Sequence, residues 1–454
     1  SDSRVNKIEP IGPTSLKEAT LRSGGVESPR PTQSAIADFA TRMLVSAARR
    51  ATEKRLAQGK VRTLWASTPI LTLPLLARCD RMLGFRSSSL VFNTYYVTRS
   101  FDINLILFEG FLRLIRSRRG LGLFRRLVFA WALLRFDFFN YFYDRGLMLS
   151  DERYGINPWE LDLLVRSRKR LYTYAYGADV RARETTLELG HPNLCEECPA
   201  PGKFCVCTTE MHASSINRLK GRATAQIAMG DMVTYVPGCR DIHYWPIDAG
   251  KFAAKPPTYS VGDTLKVAHA PNHGHFKGTR LLIEAIDRLV KEGEKIELIS
   301  VQGVPNKKVI ELFGASHVVA DQFVAGFHGY TALEAMAMAK PVLCFLRSDQ
   351  MMIDPATCPI INTRPDEIYN VLKRCLRGEL DLNGIGNAGR RYVETHYSLQ
   401  AVAARLGKLY CETADLPENL LASLTRQVDE LTKHDHVSQS ARPSPRSVDL
   451  NART

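Results

Sequence analysis

From residue 265 to residue 376 the chain repeats one unit: a short apolar run rich in β-branched residues, a polar turn, then a helical pattern. Strands are predicted at 265–270, 295–302, 318–324, 341–346 and 359–362, and helices at 279–291, 306–313, 331–338 and 365–376. A strand can return parallel to its predecessor only through a crossover, so this alternation predicts a parallel sheet with helices on its faces. Upstream, runs at 62–69, 89–97, 171–177 and 232–236 read as strands of a first unit of the same kind. The polar, proline-containing stretch 249–263 (AGKFAAKPPTYSVGD) reads as the linker. The predicted fold is α/β, two doubly wound units facing a central cleft, and open parallel sheets bind ligands at the carboxyl ends of their strands.

The 454 residues suffice for two to four domains. We assign 1–35 and 431–454, rich in Ser, Pro and charge, to disordered ends. Residues 36–260 form a first domain with a Cys-rich insertion at 190–210, residues 261–397 a second, and residues 398–430 C-terminal helices. The N-terminus has no apolar core of the signal-peptide kind, and the ten cysteines include six scattered ones without framework spacing, so a cytoplasmic location is expected. The longest apolar stretch, LVFAWALL, has eight residues between Arg126 and Arg135, against the roughly 20 that span a bilayer.

The net charge of +14 predicts an anionic partner. Much of it falls in segment 111–136, where Arg113, Arg116, Arg118, Arg119, Arg125 and Arg126 interleave with Leu, Phe and Trp and no acid intervenes before Asp137. That mixture fits a helix on an anionic membrane surface, the inner face of a plasma membrane, with an amphipathic helix packed on its own domain as the alternative. No nucleic-acid-binding module is recognisable, so nucleic acid is not expected as a partner.

Segment DQFVAGFHGYTALEAMAMAKPVLCF, 321–345, carries the chemistry. Gly326 and Gly329 permit a tight strand-to-helix loop, and the helix opening at Tyr330 and Thr331 offers unpaired N–H groups to a diphosphate. Glu334, one turn on, could accept both hydroxyls of a ribose; Thr331 and Glu334 are equally a T-x-x-E capping box. In HAPNHGHFKGT, 269–279, Lys277 and Gly278 stand at another strand-to-helix turn, where a lysine can neutralise a leaving phosphate or simply decorate a surface turn.

These residues resemble the C-terminal domain of GT-B fold glycosyltransferases, in particular the retaining bacterial family with E-x7-E followed by A-M-A-x-G-K-P-V; the match runs from His269 to about Tyr397 and is closest in LEAMAMAKPV. The resemblance implies a glycosyltransferase using a nucleoside diphosphate sugar, with Lys277 on the donor diphosphate and Glu334 on the ribose. It also implies that no metal is obligatory, that the mechanism is retaining, and that the last helix, near 399–413, returns to the first domain. Two departures stand out. The first glutamate of the pair falls on Gly326, with Asp321 and Gln322 on the preceding strand as in an Asp-Gln subset, and the arginine expected before the lysine is absent from the loop holding Asn272 and Gly274.

The first domain is expected to hold the acceptor, a cell-surface glycan or a lipid-linked precursor. TLWASTPI resembles the opening strand of the N-terminal GT-B domain, putting Ser67 and Thr68 at the cleft, where such residues otherwise cap the next helix. Asp179 and Arg181, after the predicted strand 171–177, are either cleft residues or an N-cap and a solvated arginine. Cys195, Cys198, Cys205 and Cys207, spaced C-x2-C-x6-C-x-C, suit a structural zinc, or else are free or disulfide-forming thiols. A GT-B sugar-nucleotide epimerase and a non-catalytic nucleotide-sugar-binding scaffold at the membrane remain as alternatives. The oligomeric state is open.

Overall fold

The computed structural model describes residues 35–440 apart from 95–97, 99, 115–116, 151–153 and 204. The predicted disordered start falls almost wholly outside these residues, as does the end of the predicted strand 89–97. At the other end the helix Glu418–Ser440 continues past residue 430, where the tail was expected to begin.

Every pairing in both sheets is parallel. The first sheet contains β1 (Arg62–Ser67), β2 (Arg86–Val91), β3 (Ile103–Asn104), β4 (Phe138–Phe142), β5 (Arg170–Tyr174), β6 (Ala225–Ala228) and β7 (Arg240–Asp241), in the order β3-β2-β1-β4-β5-β6-β7. The second contains β8 (Leu265–His269), β9 (Ile296–Ser300), β10 (Val318–Ala320), β11 (Val342–Cys344) and β12 (Ile361–Asn362), in the order β12-β11-β10-β8-β9. Both are doubly wound orders, in which the winding reverses once: between β1 and β4, and between β8 and β10. Stretch 249–263 connects the sheets and carries only one short 3₁₀ turn, Ala249–Lys251, as a linker should.

The central strands are buried on both faces, which explains their largely apolar composition: FFNYF in β4 is buried throughout, Asn140 included. The helix Leu399–Thr413 packs against Leu73–Met82 of the first half. Its Tyr410 hydroxyl donates to buried Asp80 at 3.1 Å, so the chain does cross back after completing the second sheet. Two Rossmann-like units with a returning C-terminal helix are the expected GT-B architecture.

Two predicted elements differ. Residues 232–236 are not a strand: Gly230–Tyr235 is a 3₁₀ helix, and the strand lies just before it as β6. Gly230 turns the chain with φ +57°, where a β-carbon would strike the Phe327 ring. The basic segment 111–136 is not one helix. It divides into Ile106–Leu114 and Arg118–Arg135, the second capped by Ser117, whose hydroxyl accepts from Gly120 N at 3.1 Å.

Candidate active site

In the second half the expected donor residues gather where the winding reverses. Lys277 ends a short helical turn after β8, and Gly278 (φ +72°) swings the chain into the helix Thr279–Lys291. Asp321 follows β10 directly and is buried. Lys277 Nζ donates to Asp321 Oδ1 at 2.7 Å, and Gly329 N–H donates to Asp321 Oδ2 at 2.5 Å. A lysine and a helix-opening amide thus converge on one carboxylate. Tyr330 and Thr331 begin the helix Tyr330–Ala337, where first-turn N–H groups have no carbonyl partner four residues back. The Gln322 side-chain amide donates to the Phe327 carbonyl and shapes the loop between.

Thr331 and Glu334 do not form a capping box, because the helix is preceded by Gly329 and has no side-chain cap. Glu334 is instead buried and accepts from Asn306 Nδ2 at 2.8 Å, facing the end of the loop that leaves β9. Burial pushes its carboxyl up to about 7, against the lowering effect of the Asn306 bond. Asn272 sits in the loop after β8 and its carbonyl accepts from Gln302 Nε2 at 3.1 Å.

Gly326, where the resemblance would put a first glutamate, leaves little room for a side chain. Gly326 stands at φ +85°, and a β-carbon there would lie 3.0 Å from Cβ and Nε of Arg347. Arg347 donates to the carbonyls of Leu189 (2.9 Å) and Pro192, so its guanidinium ties the two halves together. His269 is likewise structural, with its ring nitrogens on the Ala320 carbonyl and the Thr279 hydroxyl; burial pushes its pKa down to about 4 and keeps it neutral.

The residues expected on the acceptor side lie after β1 and β5, on loops that follow their strands, in roles the sequence did not suggest. Ser67 Oγ donates to the Gly146 carbonyl at 2.8 Å, and Thr68 Oγ1 to Asp144 Oδ1 at 2.6 Å; neither caps the following helix. Asp179 is no N-cap. It is buried and accepts from the backbone N–H groups of Tyr176, Gly177 and Tyr143. Burial first, and then the charge of Asp144, pushes its carboxyl up to about 8. Arg181 is not solvated: it pairs with buried Asp231 at 2.7 Å. Asp231 Oδ1 is buried without a hydrogen-bond partner and faces the half that carries Phe327 and Arg347.

Asp144, Asp231, Asn306 and Arg347 were not foreseen. The contacts Thr68–Asp144 and Arg181–Asp231 join residues 76 and 50 positions apart, and no local motif marks such acids.

Cys195, Cys198, Cys205 and Cys207 do line one pocket, with Arg181, Thr186 and Phe276. Burial raises the thiol of Cys195, and that of Cys205 to about 11. Among the described residues, however, no three or more His, Cys, Asp or Glu side chains are grouped so as to hold a metal ion.

No protein-family model and no curated protein sequence matches this chain. Among solved structures, Anabaena HepE in complex with UDP-glucose is 13% identical, with a TM-score of 0.48 over 78% of this chain and 99% of that one. Sucrose-phosphate synthase from Thermosynechococcus elongatus is 12% identical, with a TM-score of 0.49 over 78% and 98% of the two chains. A glycosyltransferase from Rickettsia africae is 14% identical, with a TM-score of 0.48 over 78% and 99%.

Proposed function

We propose that this protein is a glycosyltransferase that moves a sugar from a nucleoside diphosphate sugar to a cell-surface glycan or lipid-linked acceptor, with retention. One observation carries this: at the β8/β10 reversal, Lys277 and the N–H of Gly329 converge on a single oxyanion, that of Asp321. An anion seat at a doubly wound switch point is where a pyrophosphate belongs. The ammonium of Lys277 has three donors, one of them spent on Asp321, and it would stabilise charge developing on the departing diphosphate together with the helix-opening amides. The leaving phosphate can take the acceptor proton, so no protein general base is assigned. The similarity of LEAMAMAKPV to the retaining family supports retention, and the greasy, basic helices Ile106–Leu114 and Arg118–Arg135 support a lipid-linked acceptor.

The test is a thermal-shift screen of UDP-, GDP- and other nucleoside diphosphate sugars on the wild type and on Lys277→Ala and Glu334→Ala. A donor-specific stabilisation, reduced by both substitutions, supports the site; an undiminished shift in both variants removes it. Turnover of donor without acceptor would favour an epimerase, and binding without any turnover a scaffold.

Glu334 adds a pH signature. A ribose hydroxyl donates to the ionised carboxylate, and that form is present above about 7. Donor affinity is therefore expected to rise between pH 6 and pH 8 in titration calorimetry, and Glu334→Gln to flatten that rise. An equal slope in the variant would take Glu334 out of the donor site.

A further inference from the structure

We infer that the helix pair Ile106–Leu114 and Arg118–Arg135 is a docking surface for an anionic lipid bilayer, lying in the plane of the headgroups. Half of the sixteen large apolar side chains that the described residues leave exposed fall on these two helices. On the first, Leu107, Phe108, Phe111 and Leu114 recur at helical spacing, with Leu107 90% and Leu114 80% exposed. On the second, Leu123, Leu127, Trp131 and Leu134 form one stripe, with Leu127 61% exposed. A stripe of this kind that faced its own core would be covered.

Charge decides what covers it. Arg113, Arg118, Arg119, Arg126 and Arg135 are exposed on the same two helices, whereas their one acid, Glu109, is buried. Glu109 is consumed internally, by Arg113 at 2.7 Å and Arg125 at 2.8 Å. Arg125, counted in the sequence as part of the basic face, is in fact buried over the Phe92 ring at 3.3 Å. The exposed face of these two helices is therefore apolar and cationic, with no exposed acid of their own to repel phosphate, which is the complement of an anionic headgroup layer. No helix among the described residues is long and apolar enough to cross a membrane, so the pair lies on the surface.

The surface is also joined to the first sheet's reversal point. Arg125 Nη1 donates to the Leu147 carbonyl at 3.0 Å, in the loop that follows β4 and carries Asp144. The Glu109–Arg125 pair and the Phe108–Phe124 ring contact, with centroids 4.5 Å apart, hold the two helices as one platform. Lipid docking does not depend on the sugar-transfer proposal, and its test uses no nucleotide.

The full chain is mixed with vesicles of phosphatidylcholine alone and of phosphatidylcholine with phosphatidylglycerol, at low and high salt, and co-sedimentation is measured. Binding is expected only to the anionic vesicles, weakening with salt. Arg119→Ser/Arg126→Ser should lower the partition coefficient by roughly 25-fold, about fivefold per basic residue. Leu123→Gln/Leu127→Gln, at exposed positions, should lower it at least tenfold with the melting temperature unchanged. Brominated phosphatidylglycerol should quench Trp131 fluorescence, and Trp131→Phe should abolish that quenching. Unchanged binding in both double variants, binding to duplex DNA at matched salt as strong as to vesicles, or a dimer that Leu123→Gln/Leu127→Gln splits into monomers would each overturn the inference.

Discussion

Lys277→Ala is expected to lower sugar transfer by about 10²- to 10³-fold, the scale of removing one preorganised donor from a developing oxyanion. It should also destabilise the fold, because the Lys277–Asp321 pair is deeply placed, with side chains 15% and 0% exposed. Stripping one partner from such a pair leaves a buried charge uncompensated and costs about 3–5 kcal/mol. Lost activity in the single variant is thus ambiguous. The double variant Lys277→Met/Asp321→Asn resolves it by removing both charges: denaturant unfolding should show stability largely restored, while turnover stays low. If turnover recovers together with stability, Lys277 is a structural ion-pair member and not a phosphate ligand.

Asp80→Ala is expected to give a comparably large effect on stability alone. Asp80 is fully buried and accepts from Thr63 Oγ1 (2.5 Å), Trp65 Nε1 (2.8 Å) and the Tyr410 hydroxyl (3.1 Å), joining β1, the helix Leu73–Met82 and the returning C-terminal helix. Alanine leaves these donors facing apolar walls, at about 1–3 kcal/mol each before relaxation, so a loss of several kcal/mol is expected in urea unfolding. Asp80→Asn should cost much less, since an amide resembles the protonated acid. Burial pushes the Asp80 carboxyl up to about 6 from the ordinary 3.8. A raised carboxyl means that the folded state holds a proton the unfolded chain has released, so this group's contribution to stability falls as pH rises from about 4 through 6. Asp80→Asn should remove that decline and gain on the wild type across the same interval. A parallel pH dependence in the two proteins would contradict this assignment.

The second sheet was legible in the sequence because each of its strands stands between clear turn and helix signals, and Leu399–Thr413 is the helix that residues 399–413 predicted. The first sheet was legible only in part. β4 (FFNYF) follows a greasy basic helix without a breaking residue, so its apolar run merges with the helical pattern. β6 is four residues, AQIA, and its boundary is set by the turn at Gly230, which answers to Phe327 from the other half of the protein.

The same division holds for the site. Lys277, Gly329 and Glu334 were visible because a loop-and-helix motif places them locally. The pairing of Lys277 with Asp321 and of Glu334 with Asn306 was not, because those partners stand 44 and 28 residues away. Thr68 follows β1 and Arg181 lies in the loop after β5, each with a buried acid as partner, and tertiary packing alone brings Asp144 and Asp231 to them.

The β8/β10 reversal is expected to seat a nucleoside diphosphate. That expectation is met most directly by a crystal structure of the full chain with UDP or GDP, whichever stabilises it. We predict the phosphates within hydrogen-bonding distance of Lys277 Nζ and of the amides at Gly329–Thr331, with the ribose hydroxyls on Glu334. A nucleotide bound in another part of the molecule, with the Lys277–Asp321 pair unchanged and Glu334 still turned to Asn306, would contradict the account.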